Sequence, residues 1–87
     1  MKNSKRILHL TLKQPWFDMI TEGMKSCEYR DIKPYWTKRF EGKTFDEVHF
    51  RNGYTPDRPF MRVECLNIFK ASGKYCIALG KILEVRR

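Results

Sequence analysis

No stretch of this 87-residue chain approaches the roughly 18 consecutive apolar residues of a membrane-spanning helix, so a membrane is not an expected partner. The opening MKNSKRILHLTLKQPW is charged but has neither a long apolar stretch nor a small-residue cleavage site, so no signal peptide is expected. Repeats, low-complexity segments and linker-like runs are absent too, which leaves a single domain over residues 1–87. Cysteine is scarce: Cys27, Cys65 and Cys76 are odd in number, form no CxxC and sit in apolar or strand-like stretches. They read as buried reduced thiols, which suits a cytoplasmic protein. His9 and His49 lie far apart with no partner at ligand spacing, so no metal and no other cofactor is expected.

Acidic residues are also few. Ten Asp and Glu stand against eighteen Lys and Arg, a net charge of +8. Lys2, Lys5, Arg6, Arg86 and Arg87 form basic tails at 1–6 and 86–87, and the other thirteen cations run through the body. Such an excess favours polyanionic partners, RNA or nucleotides above all, because phosphate contacts release counterions. Solubility alone also makes small proteins basic, so charge names a partner class only together with a site.

The remaining pattern is α+β. ILHLTL (7–12) alternates, with Leu8, Leu10 and Leu12 on one face, and reads as a half-buried strand. QPWFDMITEG (14–23) reads as a helix: Pro15 opens it, Trp16, Met19 and Ile20 share an apolar face, and Gly23 stops it. KSCEYRDI (25–32) returns to period 2, with Cys27, Tyr29 and Asp31 opposite Ser26, Glu28 and Arg30. Pro34 begins a short second helix within 33–40. In TFDEVHF (44–50), Val48 and Phe50 point inward, against Glu47, His49 and Arg51. Asn52-Gly53 and Ser72-Gly73 mark turns. PFMRVECLNIF (59–69) shifts phase after Cys65, which predicts a bulge, and KYCIALGKILEV (74–85) turns Tyr75, Ile77, Leu79, Leu83 and Val85 to one side. The expected fold is five short, mostly antiparallel strands in a small, barrel-like sheet, with the first helix packed beside it.

Gly23, Lys25, Glu28 and Arg30 read as G-x-K-x-x-E-x-R directly after an amphipathic helix. Together with the Leu10-x-Leu12 strand, FRNGY (50–54) and the closing Ile77-x-Leu79-Gly80, the pattern resembles the ASCH domain family of the PUA-like superfamily, over roughly residues 7–83. The resemblance implies a PUA-like incomplete β-barrel with a cleft between the first helix and the barrel. The signature lines that cleft, and RNA or a modified nucleoside is the ligand. Some small relatives are amidohydrolases of acetylated cytidine, and ribonuclease activity is attributed to others. The deacylating relatives carry a lysine where Lys25 stands, a threonine three residues later, and a further acidic residue for which Glu64 is the candidate here. Glu28 occupies the threonine's place, so the resemblance favours binding over hydrolysis, with Lys25 the catalytic candidate if the chain is an enzyme.

The residues themselves allow two readings. On a strand, Glu28 and Arg30 share a face about 6.6 Å apart along the chain. A carboxylate there can accept hydrogen bonds from a base's amino or imino edge while Lys25 and Arg30 hold a phosphate or carbonyl. The same pair can equally be an ion-pair network of little net energy. Tyr35 and Trp36, flanked by Lys33, Lys38 and Arg39, are candidates to stack on bases, as are Phe17 and Tyr54. Trp16 is another, although its place on the helix's apolar face predicts the core. Arg51 and Asn52, after the third strand, either reach the same cleft or serve the turn.

Overall fold

Leu8, Leu10 and Leu12 turn inward as their alternation predicts, and Ile7–Thr11 forms β1 of a computed structural model that describes residues 5–23, 25–53 and 59–86. Tyr54 lies outside the described residues. Helix α1 (Gln14–Thr21) has proline in its first turn and ends where Gly23, at φ +77°, donates its N–H to the Ile20 carbonyl at 3.0 Å. Only a residue without a Cβ takes that left-handed conformation freely. The helix buries Phe17 and Ile20, while Trp16 is 48% exposed. The expected core position of Trp16 is therefore wrong: the stripe that faces the sheet starts one residue later, at Phe17.

Strand β2 (Cys27–Asp31) leads to α2 (Pro34–Phe40), then β3 (Glu47–Arg51), β4 (Phe60–Ala71) and β5 (Lys74–Arg86). The sheet order is β1-β3-β4-β5-β2, with β1 parallel to β3 and every other pair antiparallel. The sheet curls into a half-barrel whose concave side holds Val48, Phe50, Met61, Val63 and Ile77 against Phe17 and Phe40. Two strands are not short: β4 and β5 run for 12 and 13 residues and meet through Ser72 and Gly73, both at positive φ as a tight two-residue hairpin turn requires. The predicted bulge is present, with register shifts between Arg62 and Asn67. It also moves β5 out of phase, since pairing steps from Arg62↔Glu84 to Val63↔Ile82. Ile82 thus packs on the core and Leu83, expected inside, is exposed; Val85, also expected inside and opposite Met61 near the end of β5, is exposed as well. Cys76 is buried and Cys27 and Cys65 are half-buried, all three as free thiols. No helix among the described residues is long and apolar enough to cross a membrane.

The convex face departs from expectation at Glu47, which is buried to 3% exposure rather than solvated. Lys5 reaches it at 2.8 Å, His49 at 3.0 Å and Arg62 at 3.0 and 3.1 Å. Lys5 is thus anchored rather than part of a loose tail, and Arg86 belongs to β5. Hydrogen bonds from Lys5, His49 and Arg62 hold the Glu47 carboxyl down at about 2, against an ordinary value of 4.5. The unfolded chain therefore takes up this proton first as pH falls. The stability from Glu47 is complete above about pH 4.5 and is lost on descent toward pH 2. Urea unfolding of Glu47→Gln across that window should show a flatter acid dependence than the parent; the same slope in both would remove Glu47 as its source.

Candidate functional site

Both edges of the half-barrel, β1 and β2, belong to the same cavity. Along β1, Leu12 donates its N–H to Arg51 and Arg6 accepts from Asp46, so even-numbered backbone groups bond toward β3. Those of His9 and Thr11 then face the open seam. On β2, Leu79 donates to the Ser26 carbonyl, so by the same alternation the backbone of Cys27 and Tyr29 faces the seam from the other side. Arg30 crosses the gap. Its guanidinium donates to the Tyr29 carbonyl at 2.9 Å, to the Thr11 carbonyl at 3.2 Å, and to Glu28 Oε2.

Glu28 anchors this arrangement. Its alternation with Cys27 and Tyr29 turns it to the concave side, where it is 5% exposed. One oxygen pairs with Arg30, and the other lies 3.4 Å from Lys25 Nζ. The latter is a loose contact, and an ionised carboxylate offers about four acceptor positions, so Oε1 keeps capacity toward the cavity. Lys25 is held by the rings of Tyr29 and Trp16, whose centroids lie 5.0 and 5.7 Å away.

Aromatic residues rim the space. Trp36 stacks on Phe40 at 5.4 Å and 17°, and Phe40 meets Tyr75 edge-on, so Trp36 rests on the core. Tyr75 in turn donates to the Glu41 carboxylate and accepts from the Thr37 hydroxyl, which ties α2 to β5. Tyr35 stands edge-on to Trp36 and carries Arg39 over its ring. The cavity measures about 790 Å³ and is bounded by His9–Lys13, Trp16, Lys25, Glu28–Arg30, Tyr35 and Trp36. Small-molecule sites commonly fall in that size range. Lys13, Lys25 and Arg30 against Glu28 leave the lining positive. Burial and the nearby His49 and Arg51 hold His9 below its ordinary value, so it adds no charge at neutral pH.

Five of the expected residues, Lys25, Glu28, Arg30, Tyr35 and Trp36, are thus brought together. Arg51 and Asn52 are not: Arg51 lies over the Phe60 ring on the convex face, and Asn52 donates its N–H to the Pro59 carbonyl. Phe17 is fully buried and outside the cavity. Glu64 is elsewhere too, in the β4 bulge, accepting from the Lys81 N–H at 2.9 Å. Lys13 and Tyr29 are lining residues that sequence reasoning did not place there, whereas Trp16, a stacking candidate whose helix face predicted the core, does line the cavity. Positions 9, 11 and 13 continue one alternation, which was a usable signal for Lys13. Tyr29 lies on the face opposite Glu28 and reaches the cavity because β2 is an edge. No group of His, Cys, Asp and Glu among the described residues is arranged to hold a metal ion.

The donors of Arg30 are largely consumed by the protein, which makes it the clamp of the seam and leaves Lys25 and Glu28 to meet a ligand. Removing the clamp strands a buried carboxylate, and losses of this kind are large. Arg30→Ala should lower stability by on the order of 3 kcal/mol in urea unfolding, and Glu28→Gln combined with Arg30→Ala should lose less than Arg30→Ala alone. Additive losses would mean that the two residues do not act as a pair. No family model matches the chain, and no curated protein matches it either.

Proposed function

We propose that this chain is a small RNA- or nucleotide-binding module, a PUA-like barrel of ASCH type, whose ligand sits in the cleft between α1 and the half-barrel. The observation that carries the reading is Glu28: a carboxylate at 5% exposure on the floor of a solvent-open, aromatic-rimmed cavity, with one oxygen only loosely paired. A charge is costly to bury, and a purely structural ion pair does not need an aromatic rim around it. Glu28 accepts from the amino or imino edge of a base, and Lys25 holds a carbonyl or phosphate oxygen. The exposed Tyr35 and its neighbour Trp36, which stacks on Phe40 and has the Arg30 guanidinium 5.4 Å from its ring centroid, offer the aromatic surface for stacking. The hydroxyl that a deacylating relative needs three residues after the lysine is replaced by that same carboxylate, so binding is favoured over hydrolysis.

Both tryptophans of the chain line the cavity, which makes intrinsic fluorescence a direct report of occupancy. Titration with single-stranded RNA oligomers and with cytidine, guanosine and acetylcytidine should quench it. Trp36→Ala should weaken binding about 5- to 150-fold, the value of one stacked base. Glu28→Gln, which keeps the shape and the contacts to Arg30, should weaken it about tenfold or more. Full affinity in folded Glu28→Gln would refute the assignment. Release of acetate from acetylcytidine, abolished in Lys25→Ala, would move the reading to a hydrolase.

A further inference from the structure

Arg51 lies outside the cavity, yet it belongs to a row that begins at the cavity's rim. Thr11 on β1, Arg51 on β3, Phe60 on β4 and Arg86 on β5 stand side by side in register. Phe60 is on the convex face and is nonetheless only 4% exposed. The guanidinium of Arg51 lies over its ring at 4.5 Å, that of Arg86 at 4.6 Å, and His49 meets it edge-on at 5.3 Å.

The neighbouring row is electrically closed. Arg62 is shared between Glu47 and Glu84, and Lys5 completes Glu47. The Phe60 row is open. Among the described residues, the ion pair of Arg86 is made through its Nε to Glu84, at 2.7 Å, and no carboxylate pairs with Arg51. Among the described residues of both rows four cations face two carboxylates, so the excess positive charge there falls on Arg51 and Arg86. A guanidinium held over an aromatic ring is paired through its face and not through its N–H groups, and its planar fork fits a phosphate bidentately.

We infer that Arg51 and Arg86, braced on Phe60, form a backbone-phosphate track for a single-stranded polynucleotide that has one nucleotide in the cavity. The inference rests on the proposed nucleotide-reading cavity. Neighbouring strands are about 4.8 Å apart, which puts Arg51 one strand from Thr11 at the cavity rim and Arg86 about 10 Å further on. A chain leaving the cavity over the β1 edge meets exposed Lys13, then Arg51, then Arg86. An acidic polypeptide would match the charge, but continuity with an aromatic-lined cavity favours a polynucleotide.

The test compares a single-stranded RNA decamer, a mononucleoside and polyglutamate over a range of salt. Each phosphate contact on a single strand contributes about 0.7 to the slope of log K against log salt. Arg51→Gln with Arg86→Gln should therefore cut the decamer's slope by about 1.4. Its affinity loss between 50 and 200 mM salt then becomes about sevenfold smaller than in the parent. Quenching of the tryptophans by the mononucleoside should stay unchanged. Arg51→Gln alone leaves Arg86 over Phe60 and should give about half the effect, which guards against a double variant that fails to fold. An unchanged slope with quenching intact overturns the track and leaves the cavity reading standing. A reduced slope without any quenching by the mononucleoside overturns the cavity reading and leaves a phosphate-binding face. Equal losses for the decamer and for polyglutamate overturn the polynucleotide assignment.

Discussion

The arrangement depends on one buried carboxylate. A half-barrel made of five strands has two unpaired edges, and here they are drawn together by a side chain rather than by a backbone ladder. Arg30 can do this only because Glu28, on the same face of the same strand, fixes its guanidinium. Lys25 balances the other oxygen from the helix–strand junction. Without that triad, β1 and β2 would present free backbone groups to solvent, the usual weakness of sheet edges.

Because the seam is bridged and not zipped, space remains beside the bridge. The cavity is therefore a product of topology as much as of side-chain choice: it occupies the place where a closed barrel would have put another rung of hydrogen bonds. The two helices finish it. Residues following β1 supply Trp16, and residues following β2 supply Tyr35 and Trp36, so each edge strand brings its own aromatic cover. The convex side is organised differently, with cations braced on Phe60 and shared between Glu47 and Glu84.

Local signals were legible in the sequence. Leucine alternation in β1, proline at both helix starts, the stop at Gly23 and the phase shift in β4 each come from a few neighbouring residues, and the chain follows them. The charges at residues 25, 28 and 30 were legible for the same reason. What could not be read depended on partners distant in sequence. Glu47 is buried because Lys5 and Arg62 come from other segments to cover it. Leu83 is turned out by a register step that takes two strands to define. Trp16 and Phe17 each begin a plausible apolar stripe on α1, and only the position of the sheet chooses between them. Arg51 follows the alternation of β3 to the convex face, away from the cleft it was expected to reach.

The parallel pairing of β1 with β3 has a consequence for how the molecule assembles. Its registered partners, such as Leu8 and Val48, are 40 residues apart, whereas β4 and β5 are joined by a two-residue turn. Loop-closure entropy delays distant pairings, so the β4–β5 hairpin is the natural nucleus and the edge strands add late. The seam between β1 and β2 is then the last contact made in folding. A molecule lodged against Glu28 and Trp36 would brace the chain at the very step that completes it.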